Sequence, residues 1–145
     1  MKITELMIGD YVKYQGHTYI VEEISAKGWV HLIHPESKVR LNLTNDYIIH
    51  LLEPIPLTQF ILETNGWIVK KNHVQKGNFG DSPLMLWHLT GNKILRHFVH
   101  EMEISDLSSD EGYRLRFRCD YVHELQHALR LCGLNELADN FKMEE

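Results

Sequence analysis

Two histidines and a glutamate stand in the order His-Glu-x-x-His within the run His123-Glu124-Leu125-Gln126-His127. On a helix, residues four apart share a face. Two imidazoles so placed can reach one zinc ion, and the glutamate between them can act as general base on a metal-bound water. The chemistry implied is metal-assisted hydrolysis, with His123 and His127 as ligands, Glu124 as the catalytic base and zinc as cofactor. No other run in the chain names a reaction.

The surroundings of the motif argue against that chemistry. A zinc site needs a third protein ligand. One extended form of the pattern continues with a glycine and a third histidine, and here those positions hold Arg130 and Gly133. Another form takes a glutamate from a following helix. Only Glu136, Glu144 and Glu145 follow; Glu136 is too near, and the last two lie where a chain end frays. An upstream ligand such as His97 or His100 is left open. On a helical wheel Val122, Leu125, Leu129 and Cys132 fall together, with Ala128 beside them, and form the expected buried stripe. His123, His127 and Arg130 fall opposite and are expected to face water, and an arginine is a poor neighbour for a metal cation. With ten histidines in the chain, an accidental motif is expected in roughly one such sequence in twenty. The expectation is therefore a polar stripe on an amphipathic helix, with no catalytic residue and no cofactor. A zinc-dependent hydrolase is the alternative.

Other residue groups carry weaker signals. Arg114, Arg116 and Arg118 alternate with apolar residues and share one face of a strand. That stripe could hold an acidic partner or phosphates; balance by Glu101, Glu103 and Asp106 on a solvated sheet face is the blander expectation. The loop Lys76-Gly77-Asn78-Phe79-Gly80-Asp81-Ser82 has two glycines but no lysine-serine ending for a phosphate loop, so it reads as a strand connection. Cys119 or Cys132 with His123 would make a thiol–imidazole pair, but no orienting partner is evident, and core cysteine is the default.

These residues need elements to position them, and composition bounds what the elements build. The chain has 145 residues, 43% hydrophobic and 24% charged, which suits a folded protein with one core or two small ones. A net charge of −5 weighs against a nonspecific nucleic-acid coat, which needs a basic surface. The cysteines read as reduced, as in a cytoplasm. No signal peptide and no membrane span are expected.

Residues 1–53 read as an SH3-like β-barrel. Ile8–Val12 opens a strand, Gln15-Gly16 is a tight turn, and His17–Ile24 alternates in strand fashion. Trp29–His34 and Val39–Leu43 follow as further strands. The aromatics of a binding barrel would include Tyr11, Tyr14, Tyr19 and Trp29. Pro54 and Pro56 make an extended break. Residues 54–145 read as an α+β unit. Thr58 caps a short helix stopped by Asn65-Gly66; strands fall at Trp67–Lys70, Leu84–Leu89, Lys93–Val99 and Tyr113–Arg118. Asp120 is the expected cap of a helix from Tyr121 to about Leu131 that packs on this second sheet. Asn135 caps a last short helix.

Three phrases add a resemblance. Glu5-Leu6-Met7-Ile8-Gly9-Asp10-Tyr11-Val12 opens the chain, Pro54-Ile55-Pro56-Leu57-Thr58 with Ile61-Leu62 and Asn65-Gly66-Trp67 stands in the middle, and Tyr121-Val122-His123-Glu124-Leu125-Gln126 closes it. In that order they resemble a group of small proteins of gut bacteria, often encoded among phage or mobile-element genes, with no established activity. The group's closing phrase resembles Tyr-Val-His-Gln-Leu-Gln-Asn, so Glu124 and His127 stand where it has glutamine and asparagine. The resemblance implies a fold that forms without the catalytic glutamate or the second ligand. It leaves His123 and Gln126 as a helix-surface contact shared with the group.

The expected protein is a cytoplasmic, non-enzymatic interaction protein with a protein or nucleic-acid partner and no membrane association. Binding candidates are Arg114, Arg116, Arg118, His123 and Gln126. A nucleic-acid-binding module using the barrel and the arginine strand is a further alternative. Partner identity and oligomeric state are not fixed by the sequence.

Overall fold

The computed structural model describes residues 1–71, 84–106 and 114–143. The glycine loop at 76–82 lies outside the described residues. By contacts the chain divides into two units, Met1–Pro56 with Tyr121–Phe141, and Leu57–Asp120 with Lys142–Glu145. This differs from the expected 1–53 and 54–145 chiefly in the C-terminal helix, which groups with the first sheet. The physical reason is a set of buried polar contacts between that helix and residues 9–11, described below.

In the first unit, β1 (Tyr11–Tyr14), β2 (His17–Ile24), β3 (Val30–Ile33) and β4 (Arg40–Leu43) form an antiparallel meander in the order β1-β2-β3-β4. Gln15 and Gly16 join β1 to β2 with φ of 49° and 83°. Two successive positive φ values match the right-handed twist of a two-residue hairpin. Alternation then sends Val12, Val21, Val30, Leu32 and Leu43 into one core with Leu6, Ile49 and Leu52. Ile49 lies on a short helix, α1 (Asp46–Ile49), absent from the expected elements; Asn45 caps it by accepting from the Tyr47 N–H at 2.9 Å. The sheet is open: among the described residues β4 does not pair back onto β1, and no closed barrel forms.

The same unit contains α3 (Val122–Leu131) and α4 (Asn135–Asp139). Tyr121, not Asp120, is the N-cap of α3, and the Glu124 carboxylate accepts from the Tyr121 N–H at 3.0 Å. A carboxylate in the first turn satisfies an orphan donor and faces the positive end of the helix dipole. Val122, Leu125, Ala128 and Leu129 are buried as the wheel predicts, but His123 and Gln126 are buried too.

In the second unit, α2 (Gln59–Thr64) begins at Thr58, whose hydroxyl accepts from the Ile61 N–H at 3.2 Å. It ends at Asn65-Gly66, where φ of +85° suits glycine. The strands β5 (Ile68–Lys71), β6 (Leu84–Thr90), β7 (Lys93–Phe98), β8 (Glu101–Asp106) and β9 (Arg114–Arg118) form an antiparallel meander in chain order. Leu86, Leu95, His97, Met102 and Ile104 point to the buried face. β8 was not among the expected strands. The residues joining it to β7 are Val99 and His100, and Val99 holds φ of 58°. A β-branched residue in that region is strained, and the link carries none of the usual turn residues.

Candidate functional site

The residues of the His-Glu-x-x-His run converge on a turn at the start of β1. The Met7–Asp10 turn is closed by the Asp10 N–H donating to the Met7 carbonyl at 3.1 Å and the Met7 N–H donating to Asp10 Oδ2 at 2.7 Å. Asp10 is 0% exposed. A buried carboxylate needs partners of opposite charge and filled lone pairs. α3 supplies both: His127 Nε2 lies 2.7 Å from Asp10 Oδ2, and Arg130 Nη1 donates to Asp10 Oδ1 at 2.9 Å. A carboxylate only accepts, so the Nε2 of His127 carries a proton.

Gln126 completes the clamp. It is 0% exposed. Its Oε1 accepts from the Tyr11 N–H at 3.0 Å, and its Nε2 donates to the Gly9 carbonyl at 3.0 Å and the Ala138 carbonyl at 3.2 Å. One amide thus serves β1, the turn before it and α4. The Tyr11 hydroxyl, its pKa pushed up by burial, donates to the Phe141 carbonyl at 2.8 Å. Gly9 is needed for two reasons. Its φ is +93°, and a Cβ there would lie 2.6 Å from Arg130 Nη2.

These contacts correct the expected solvent face. His123 is 8% exposed, Gln126 is enclosed, and His127 and Arg130 are mostly buried. The wheel identified the apolar stripe but assumed one buried side. The helix is buried around more than half its circumference, and His127 and Arg130 meet a buried aspartate instead of water. His123 and Gln126 therefore do not form a surface contact.

His123 stacks on Tyr121 at 5.9 Å between ring centroids and meets His127 edge-on at 5.5 Å. Its Nδ1 is buried and has no hydrogen-bond partner among the described residues. Burial, reinforced by the neighbouring His127, pushes its pKa below the usual value, against the pull of Asp10, Glu124 and Glu5.

Two of the motif's groups are engaged elsewhere in the structure. The Nε2 of His127 is engaged by Asp10, and the Glu124 carboxylate is engaged at the helix cap. The upstream candidates serve the second unit: His97 Nε2 lies 3.0 Å from the Cys119 carbonyl, and His100 Nδ1 bonds Asp120. Among the described residues no group of three or more His, Cys, Asp or Glu is arranged to hold a metal ion. Cys119 and Cys132 form no disulfide.

The aromatics expected of a binding barrel divide. Tyr11 is buried, and Tyr14 and Tyr19 pack against the first core and each other. Trp29 is the exposed one, with the Lys27 ammonium 5.6 Å from its ring.

The second unit carries the remaining candidates. Register places Arg114, Arg116 and Arg118 opposite Ser105, Glu103 and Glu101, with Arg96 and Trp87 continuing the Arg116–Glu103 row. Glu103 receives Arg96 Nη1 at 2.9 Å and Arg116 Nε at 3.0 Å, with Arg114 Nε 4.0 Å away. Burial alone would raise the Glu103 pKa, but Arg114, Arg96 and Arg116 outweigh it and hold the carboxyl below its usual value. Asp120 is likewise held low, first by the hydrogen bond from Arg118 and then by that from His100. Asp106, an expected counter-charge, sits opposite Lys93 instead. The Arg96 guanidinium lies 4.2 Å from the Trp87 ring centroid. Sequence reading missed Asp10, Arg96 and Trp87, which only the strand pairing and the helix contacts bring to their partners.

The fold and these sites define an α+β protein of two antiparallel sheets with a few helices. Compared with known protein families, curated proteins and solved structures, the chain shows no match. Among the described residues no helix is long and apolar enough to cross a membrane.

Proposed function

We propose that this is a non-enzymatic interaction protein of the cytoplasm, acting in a phage or mobile-element setting. Its first unit is read as an SH3-like scaffold and its second as the surface that meets a partner. The observation that carries the reading is the employment of the His-Glu-x-x-His run inside the fold. Glu124 caps its helix, Gln126 bridges three backbone groups, and His127 holds a buried aspartate. A hydrolase needs these groups turned toward a substrate; here each is turned toward the chain.

The test is the metal content of untagged protein purified without chelator, beside a His127→Asn variant. The expected result is no retained zinc after incubation with excess metal and desalting, and no peptide cleavage by either protein. About one zinc per chain, lost in the variant, would overturn the reading in favour of a hydrolase. A nucleic-acid module draws on the arginines of β9, but the net charge of −5 counts against it. Salt-sensitive binding to DNA or RNA would favour that module instead.

A further inference from the structure

β9 is an edge strand. β8 pairs with one side of it, and among the described residues no strand pairs with the other. Unpaired strand edges offer backbone donors and acceptors to any extended chain that fits. What fits is set by the side chains, which a strand shows equally to neighbours on both edges.

β9 shows two different faces. Arg114, Arg116 and Arg118 lie on one, with side chains 69%, 70% and 74% exposed. Leu115 and Phe117 lie on the other and are half-buried. The strand already on its inner edge reveals the matching pattern. β8 reads Glu101-Met102-Glu103-Ile104, and pairing sets Glu101 against Arg118, Met102 against Phe117, Glu103 against Arg116 and Ile104 against Leu115. Acidic residues meet Arg116 and Arg118, Ser105 meets Arg114, and apolar residues meet the apolar side.

Charge on the arginine face is not closed by that inner strand. Glu103 is a single carboxylate surrounded by Arg96, Arg114 and Arg116. A second row of carboxylates on the outer edge would find arginines whose charge Glu103 cannot neutralise alone. A second copy of this strand would not fit, since pairing β9 with β9 sets arginine beside arginine, and like charges directly opposite are destabilising. A single-stranded nucleic acid would need aromatic platforms as well as cations. Trp87, the tryptophan on this face, is already covered by Arg96.

We propose that the outer edge of β9 takes up an extended segment of a protein partner that alternates acidic and apolar residues, added to the sheet as a further strand. The proposal rests on the reading of the chain as an interaction protein. Backbone hydrogen bonds supply affinity in such an addition, and the alternation supplies selectivity. Arg114 and Arg116 carry the selectivity for acidic residues, and Leu115 and Phe117 the selectivity for apolar ones.

The probe is a labelled peptide of β8's length alternating glutamate and valine, followed by fluorescence anisotropy on the full chain. Controls are a peptide of the same composition with its glutamates in one block, a lysine–valine alternation, and an oligothymidylate. The expected result is binding of the glutamate–valine alternation over all three, weakened by salt, with slowed amide exchange along residues 114–118. A double reversal, Arg114→Glu with Arg116→Glu, is expected to lose about tenfold or more in affinity and to favour the lysine peptide. Arg116→Gln, which removes one charge without adding another, keeps the test usable where the reversal disturbs the sheet. Equal binding of the block peptide would overturn strand addition, and preferential binding of the oligothymidylate would replace it with a nucleic-acid site. No peptide binding up to about millimolar would also overturn it. If a partner from the native host still bound the charge-reversed protein as well as the wild type, the site would fall while the interaction reading stood. Retained zinc would sink both.

Discussion

Asp10 in the first unit and Glu103 in the second are each a carboxylate held by arginine. Asp10 has no exposure and meets one arginine, one histidine and one backbone N–H, so its acceptors are filled from within the fold. Glu103 is mostly covered but meets three arginines, two of them with side chains open to solvent. The first arrangement is closed. Removing any member leaves a buried group without its counterpart, and burial makes that expensive. The second is open, and the exposed arginines retain hydration and can exchange one partner for another at small cost. The same residue types thus hold a fold in one unit and leave a charged, exposed face in the other. Burial and stoichiometry of charge make the difference.

The most direct way to break the comparison is Asp10→Ala. It leaves His127 without its acceptor and Arg130 with only Asp139, 3.7 Å away, and frees the Met7 N–H. The expected loss of stability is about 3–5 kcal/mol, read by chemical denaturation. A loss below about 1 kcal/mol would place Asp10 in the same class as a surface pair. Gln126→Ala comes next. It abandons the Tyr11 N–H and the Gly9 and Ala138 carbonyls, and an unsatisfied buried group costs about 1–3 kcal/mol. The expected loss is about 2–3 kcal/mol by the same measurement. Unchanged stability would mean that water replaces the amide and the clamp is less enclosed than its geometry indicates.

Acid should weaken the fold in two steps, the first of which touches both units. The folded pKa of His123 lies below its ordinary 6.5, so the unfolded chain takes up that proton first as pH falls. Stability then rises with pH through this window and declines on acidification from about 6.5. His88 in the second unit, lowered mainly by burial, acts in the same direction. Glu103 and Asp120 are also held below their ordinary values, so their contribution is present above about 4.5 and is lost at lower pH. In a His123→Phe variant the decline between pH 7 and pH 5 should be shallower. An identical slope would show that His123 is no more costly to charge in the fold than outside it.

Glu124 sharpens the comparison from the side of chemistry. As a helix cap it should cost about 1 kcal/mol when replaced by alanine and only a few tenths when replaced by glutamine, which can cap in the same way. A catalytic base would tolerate neither. Equal losses of stability in the two variants would count against the cap.

Much of the fold was legible because strand alternation is a local property. His17–Ile24 reads as a strand from its own residues and is one, and Arg114–Arg118 likewise. The C-terminal helix was legible for the same reason. β8 was not, because its boundary is the strained Val99 and no glycine or asparagine marks the turn. The clamp was hidden for a different reason. Asp10 beside Gly9 looks like an ordinary turn residue, and Gln126, His127 and Arg130 look like a wet helix face. Only the long-range contact between residue 10 and residues 127 and 130 gives them a buried role.

The smallest effect is the most discriminating. Arg116→Ala removes an exposed guanidinium from Glu103, which keeps Arg96 and has Arg114 close by. The expected change in stability is within about 0.5 kcal/mol, and salt should erase it, since exposed pairs are screened over roughly 10 Å at 0.1 M. Arg130→Ala makes the same chemical change in the first unit, where Asp10 would keep only His127 and the Met7 N–H. Its cost should be several-fold larger and should persist in salt, because solvent ions do not reach a buried pair. Measured side by side across a salt series, the two variants separate an arginine that holds the fold from one that is available to a partner. If Arg116→Ala costs as much as Arg130→Ala at high salt, the second sheet's arginines are structural too, and the open face would lose its claim to be a binding surface.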